Sequence, residues 1–165
     1  AIGAKLNNLI PQFELDYPRL IVEPGRGIIA QAGVALYKVG AIKEIPDIRK
    51  YICIDGGMND NIRPALYGTK HEALVANKAL QEESEIVTIA GKLCESGDIL
   101  VRDTNLPSVS SGDIIAVPVC GAYSIPMWSN YNALPRPAII MLNEGKANLI
   151  RRRETYQDLI GLDTI

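Results

Sequence analysis

From Val34 onward the chain is built of short runs rich in β-branched residues, each cut off by Gly, Pro, Asn or Asp. The runs cover 34–45, 50–54, 71–76, 86–90, 99–102, 114–119, 138–142 and 147–151. Punctuation of this kind predicts a mainly β fold, an antiparallel β-barrel or sandwich. Asn143-Glu144-Gly145-Lys146 predicts a hairpin turn between two of the runs. Ser96-Gly97-Asp98-Ile99-Leu100 is echoed by Ser111-Gly112-Asp113-Ile114-Ile115, a turn-into-strand unit used twice. Pro118 cannot donate to a ladder, so its strand is expected at an edge or at a bulge. A short helix around 154–160 is expected to close the chain.

The first thirty-odd residues have another texture. Residues 2–10 carry apolar side chains at helical spacing and meet Pro11. Leu20-Ile21-Val22 is the continuous apolar run of a buried parallel strand. A turn, Glu23-Pro24-Gly25-Arg26, follows it, and residues 27–33 read as a helix closed by Gly33. Helix, strand, turn and helix make one βα unit of an α/β layer, too little to stand alone. The chain opens at Ala1 without an initiator methionine, so it is expected to be a piece of a larger protein. Residues 1–33 are then a remnant of a preceding unit and residues 34–165 a β-domain. The orphaned strand at 18–23 is expected to leave an apolar patch exposed.

Hydrophobic residues at 47% and charged ones at 22% suffice for a packed core. Aromatics are only 5%, and with seven tyrosines against one Trp and one Phe, the rings are wanted for their hydroxyls as well as their bulk. A net charge of -2 gives no electrostatic reason to expect nucleic acid or an anionic membrane as partner. Arg151-Arg152-Arg153 abuts Glu154 and Asp158 and reads as a solvated strand end. Cys53, Cys94 and Cys120 lack the spacing of a zinc or redox motif, and His71 cannot form a metal site alone. No metal is expected, and His71 is assigned a structural role in a strand-like stretch. No signal-like segment or bilayer-length apolar run is present, so a cytoplasmic protein with reduced thiols is expected.

Four clusters carry candidate chemistry. In Gly91-Lys92-Leu93-Cys94-Glu95-Ser96-Gly97-Asp98 a thiol and a carboxylate adjoin where a strand meets a turn. The turn can aim Cys94 and Glu95 at one cavity; the alternative is a buried free cysteine beside a solvated glutamate. Glu23-Pro24-Gly25-Arg26 offers backbone amides and a guanidinium to an anion, or is a plain turn with a surface ion pair. Asp55-Gly56-Gly57-Met58-Asn59-Asp60-Asn61-Ile62-Arg63-Pro64-Ala65-Leu66-Tyr67 brings Arg63 and Tyr67 into a polar loop. They can present a guanidinium and a phenol to a carboxylate, or belong to a solvated loop. Gly121-Ala122-Tyr123 places Tyr123 where a strand ends, as a site or a packing residue.

Taken in order, these clusters resemble the C-terminal region of the diaminopimelate decarboxylases. These are pyridoxal-phosphate enzymes of lysine biosynthesis, grouped with ornithine and arginine decarboxylases in the alanine-racemase-like fold. The resemblance runs through Ser129-Asn130-Tyr131-Asn132 and Arg152-Arg153-Glu154-Thr155-Tyr156. Glu-Pro-Gly-Arg is common to the wider group, whereas Cys-Glu-Ser-Gly-Asp points to the diaminopimelate members. The resemblance implies that Glu23 pairs with the pyridinium nitrogen and that Gly25 and Arg26 hold the cofactor phosphate. It implies that Arg26, Arg63, Tyr67 and Glu95 read the substrate, meso-diaminopimelate, and that Tyr123 touches cofactor and substrate. Cys94 is implied as the proton donor after loss of carbon dioxide. Cys94 and Glu95 are implied to act across a homodimer interface.

The family's N-terminal (β/α)8 barrel, with its cofactor-bonding lysine, has no counterpart here beyond residues 1–23, so the chain alone is expected to be inactive. Two other readings stand beside this one. The substrate is carboxynorspermidine, ornithine or arginine; or the chain is a non-catalytic, free-standing β-domain that serves as a subunit.

Overall fold

The computed structural model describes residues 1–164; Ile165, the last residue of the expected β-domain, lies outside them. Helix α1 (Ile2–Leu9) forms where the apolar spacing predicts it. Pro11 does not end the coiling there, because a proline near the start of a helical turn forfeits no needed hydrogen bond. It sits in a 3₁₀ turn, Ile10–Phe13, that stops at Glu14 in left-handed backbone (φ 51). The strand expected at 20–22 does not form, and Leu20, Ile21 and Val22 are exposed. A parallel strand needs neighbours for its ladder, and among the described residues none lies alongside. The exposed apolar patch expected there is present.

Helix α2 (Gly25–Ile29) begins two residues earlier than expected and tightens into a 3₁₀ turn, Ala30–Ala32. Gly33 does not close it in left-handed backbone; its φ of -110 and ψ of 134 are extended. Glycine is required there for another reason, since a Cβ would lie 2.4 Å from the Cα of Gly121.

The β-domain follows in chain order as β1 (Ala35–Ile45), β2 (Arg49–Ile54), α3 (Arg63–Tyr67) and β3 (Leu74–Val75). Then come β4 (Glu85–Ala90), β5 (Ile99–Leu106), β6 (Ile114–Val117), β7 (Ile139–Asn143), β8 (Lys146–Arg151) and α4 (Tyr156–Ile160). Six strands form one sheet in the order β3-β6-β1-β2-β4-β5, and β7 pairs with β8. The sheet is mixed rather than antiparallel throughout: β2 and β4 run parallel, with Tyr51 opposite Thr88 and Cys53 opposite Ala90. Residues 55–84, which carry α3 and β3, return the chain to the end where β2 began, as a parallel pair demands.

Both edge strands feed one core. Val75 of β3 and Leu100 and Leu106 of β5 join Val39, Ile52, Ile89, Ile115 and Val117 in a single buried cluster, so the sheet curls into a nearly closed barrel. Strand β1 supplies the bend. It pairs with β6 through Lys38 and with β2 from Val39, with a register shift between Val39 and Ile42 around Gly40. Each fully buried side chain such as Ile52 or Ile89 contributes about 1.5–3 kcal/mol. Strand β6 is interior, not an edge, and Pro118 causes no ladder defect because the strand has already ended at Val117. In the β7–β8 hairpin both loop residues take positive φ, Glu144 at 48 and Gly145 at 73, as a tight two-residue turn requires.

The repeated Ser-Gly-Asp turn has a shared physical content. Asp113 accepts the Ser110 amide and pairs with Lys78, and Asp98 accepts the Leu93 amide, so each carboxylate ties back the loop before its strand. A third buried carboxylate, Asp60, accepts from the Tyr37 hydroxyl at 2.7 Å and from the Gly57 amide. Burial pushes the Asp60 carboxyl up to about 6, against the pull of those two donors. A carboxyl raised by folding stabilises the native state below its unfolded value, and that contribution is lost as pH rises through the folded one. The stability of the wild type relative to Asp60→Asn should therefore fall as pH rises from about 4 to about 7, measured by urea denaturation. A difference that rises with pH would contradict the assignment.

Candidate functional site

Two backbone crossings assemble the residues singled out above. At the first, the chain leaving β6 passes the end of α2. The amide of Cys120 donates to the Gly33 carbonyl at 2.8 Å, and the amide of Gly121 donates to the Ala30 carbonyl at 3.0 Å. A Cβ on Gly121 would lie 2.0 Å from the Ile29 carbonyl oxygen. The crossing forces two side-chain-bearing residues into left-handed backbone, Val119 (φ 61) and Tyr123 (φ 66). Such conformations cost roughly 1–3 kcal/mol each and persist only where the surroundings impose them.

That geometry puts Tyr123 against α2. Its hydroxyl would lie 3.0 Å from a Cβ at Gly25, so the ring occupies the space that glycine leaves free. The Arg26 guanidinium lies 5.9 Å from the centre of the Tyr123 ring and that of Arg63 lies 5.6 Å from it. Arg63 also lies 5.0 Å from the Tyr67 ring. Arg63 and Tyr67 are not in a loop as expected: Pro64 favours the first turn of a helix, and α3 places both residues on one short turn ended by Gly68 (φ 62). Two cations thus share one aromatic ring, and neither forms an ion pair among the described residues. Ring quadrupoles offset only part of that like-charge repulsion, so the arrangement favours an anion between the guanidinia.

A cavity of about 350 Å³ opens here, lined by Arg26, Arg63, Thr69, Lys70, His71 and Val119 among others. The Thr69 hydroxyl is buried without a partner. His71 belongs to this cavity, not to a strand as expected. Burial lowers its pKa, opposed by the Pro118 backbone, and Arg63 and Arg26 repel its charged form further, so it is favoured as a neutral imidazole. Glu23 is exposed and forms no ion pair with the other candidates among the described residues.

The second crossing holds the thiol and the carboxylate. Cys94 and Glu95 follow β4 in an exposed bend, which excludes the buried free cysteine. The Cys94 amide donates to Asn132 Oδ1 at 2.9 Å, and the Tyr131 hydroxyl donates to Glu95 Oε2 at 3.3 Å. The Glu95 charge pushes the Tyr131 phenol up. Asn132 has a left-handed φ of 57 that brings its side chain to the bend. Glu154 anchors the base of this segment: it pairs with Arg136 and accepts from Asn130 Nδ2 at 2.7 Å, and the Arg136 guanidinium holds its carboxyl down at about 2. The sequence does not mark Tyr131 or Asn132 as site residues, since no local pattern announces a contact across 38 residues. Among the described residues no hydrogen bond or ion pair joins the side chains of Cys94 and Glu95 to those of Arg26, Arg63, Tyr67 or Tyr123, so the chain carries two separate halves of chemistry.

Fold and site together define a mainly β domain that presents a cationic, tyrosine-lined recognition surface on its loops. Residues 25–121 match the C-terminal sheet domain of the pyridoxal-dependent decarboxylases, and the chain belongs to that family. It is 49% identical over 152 residues to the diaminopimelate decarboxylase of Bacillus subtilis (strain 168), covering 92% of this chain and 35% of that protein. It is 51% identical over 151 residues to the diaminopimelate decarboxylase of Synechocystis sp. (strain PCC 6803), covering 92% of this chain and 32% of that one. The crystal structure of the M. jannaschii diaminopimelate decarboxylase in co-complex with L-lysine superposes with a TM-score of 0.86 at 43% identity, over 99% of this chain and 37% of that one. The chain spans about a third of the length of the curated relatives it matches. No helix among the described residues is long and apolar enough to cross a membrane.

The first crossing makes a sharp prediction. Gly121→Ala should lose about 2 kcal/mol or more in urea denaturation, because backbone surrounds the added methyl. Gly27→Ala, where a Cβ meets nothing within 4 Å, should cost nothing measurable.

Proposed function

We propose that the chain is the C-terminal part of a diaminopimelate decarboxylase that makes L-lysine from meso-diaminopimelate with pyridoxal phosphate. The observation that carries this reading is the pair of guanidinia without ion-pair partners among the described residues, Arg26 and Arg63, 5.9 and 5.6 Å from the centre of the Tyr123 ring. Diaminopimelate differs from ornithine in its distal end, which holds a carboxylate as well as an ammonium. Arg63 and Tyr67 would bind that carboxylate by a charge-assisted hydrogen bond and a phenol donor, and Glu95 would bind the ammonium. An anionic cofactor fits the same surface, since Arg26 and Lys70 line the cavity and the Thr69 hydroxyl lacks a partner there. Gly25, Arg26 and Tyr123 would hold its phosphate, and Glu23 its ring nitrogen. The bound cofactor supplies the ring that accepts electrons from the breaking C–CO2 bond. Cys94 would then deliver a proton to the carbon that lost the carboxyl group.

This chemistry requires the larger part of the relatives' length, including the lysine that bonds the cofactor. Residues 1–33 would belong to that barrel and residues 34–165 to the sheet domain. The exposed Leu20–Val22 segment fits such a division, as it would gain neighbours there. A second copy would complete each site, because among the described residues Cys94 and Glu95 form no hydrogen bond or ion pair with the arginine cluster of their own chain.

The test uses the full-length protein with pyridoxal phosphate. Lysine should form from meso-diaminopimelate, with ornithine and arginine turned over at least about 10²-fold less well in kcat/KM. Arg63→Ala should lower kcat/KM for diaminopimelate by about 10²-fold, and Cys94→Ala should lower lysine formation by about 10²-fold or more. Ornithine or arginine turned over best would overturn the substrate assignment while leaving the decarboxylase assignment in place. An isolated chain of residues 1–165 should form no lysine at all.

A further inference from the structure

Two hydrogen-bonded ties join the loop at 55–62 to the bend at 91–97: the Lys92 amide donates to the Gly56 carbonyl at 3.0 Å, and the Asp98 side chain reaches both segments. Its Oδ1 accepts the Met58 amide at 2.7 Å, in the loop that leads to Arg63, and its Oδ2 accepts the Leu93 amide at 2.8 Å, next to Cys94. Its backbone closes the bend as well: the Gly91 amide donates to the Asp98 carbonyl at 2.9 Å, and the Asp98 amide donates to the Glu95 carbonyl at 3.1 Å. The residue is 3% exposed. Two glycines leave room for the carboxylate, since a Cβ on Gly57 would lie 2.7 Å from its oxygens and one on Gly91 would lie 2.1 Å away. A buried carboxylate that accepts two amides from different loops fixes their separation, because either loop can move only by stranding a buried donor or the charge itself.

We propose that Asp98 is a positioning residue that sets where the Cys94–Glu95 bend stands relative to the loop that leads into α3 and Arg63 of the same chain. The inference deepens the proposed function and rests on the roles given there to Cys94 and Glu95. If those two serve one active site while Arg63 serves the other, Asp98 fixes the spacing of the two sites across the dimer. Burial raises the Asp98 pKa against the pull of the Leu93 and Met58 amides, with Glu95 raising it further. Ionisation of this carboxyl therefore depends on both amides staying in place.

The test compares full-length wild type with Asp98→Asn, which keeps one acceptor oxygen but turns an NH2 toward the other amide, and with Asp98→Ala. Val87→Ala, a core change on the adjoining strand, serves as the control for simple loss of stability. Asp98→Asn should lower kcat for lysine formation by about ten- to a hundred-fold, with KM moving by less than about three-fold. The rate of Cys94 alkylation by iodoacetamide and deuterium uptake in the peptide 91–97 should both rise several-fold, by mass spectrometry. Cofactor absorbance should be unchanged. Val87→Ala should lower the thermal midpoint while leaving kcat, alkylation and exchange near wild type. Unchanged alkylation and exchange in both Asp98 variants would overturn the proposal, as would a kcat loss that Val87→Ala reproduces. A full-length wild type that makes no lysine would sink the functional reading instead, and alkylation and exchange would still decide the role of Asp98.

Discussion

The site depends on one close backbone contact, the passage of Gly121 beneath Gly33. Nothing larger than hydrogen fits on either α-carbon, and two backbone hydrogen bonds seal the contact. Through it the first thirty-odd residues, which contribute little to the buried core, are fastened to the end of the barrel's β6. Arg26 comes to share the Tyr123 ring with Arg63 for that reason, although the two arginines are far apart in sequence. The strain at Val119 and Tyr123 is the cost of the crossing, and the curled core, closed by strands from both sheet edges, is what holds the strained segment in place.

Elsewhere the same device recurs with a charge added. Gly57 and Gly91 flank Asp98, and Gly56 packs on Tyr37 and Asp60, so buried carboxylates sit beneath a glycine-rich loop and hold it by its amides. Rigid strands set the distances and buried acids set the loops. The exposed groups Arg26, Glu95 and Cys94, with half-buried Arg63, are left to meet a ligand. On the proposed function this division of labour is the expected one: the positioning carboxylates are dry and satisfied, and the ligand-reading arginines have no ion-pair partner among the described residues.

Much of this was legible in the residues. Strand-forming runs and their turns were readable because β-branched stretches and Gly-Asn-Asp clusters act locally, and the hairpin at Glu144–Gly145 needed nothing more. Parallel pairing of β2 with β4 was not, since strand direction is decided by the long connection between them. Leu20–Val22 read as a strand because its composition is that of one, but a ladder needs a neighbour that sequence alone does not supply. Among the candidate groups, Arg63, Tyr67 and Tyr123 come together as the motifs implied, and Glu23 does not join them. The residues alone assign His71 a structural role in a strand and give Asn132 no site role, because the cavity at one and the contact to Cys94 at the other are made by long loops. Asp98 was visible only as half of a turn motif; that its carboxylate spans two loops is a fact of tertiary structure.

The central claim is that one chain supplies the arginine cluster and another the thiol–carboxylate bend to a single ligand. A crystal structure of the full-length protein with pyridoxal phosphate and L-lysine tests it directly. The account predicts the α-carboxylate of lysine within hydrogen-bond reach of Arg63, and its α-ammonium beside Glu95 of the partner subunit. A lysine seated away from Arg63, or one met by Arg63 and Glu95 of the same chain, would contradict it.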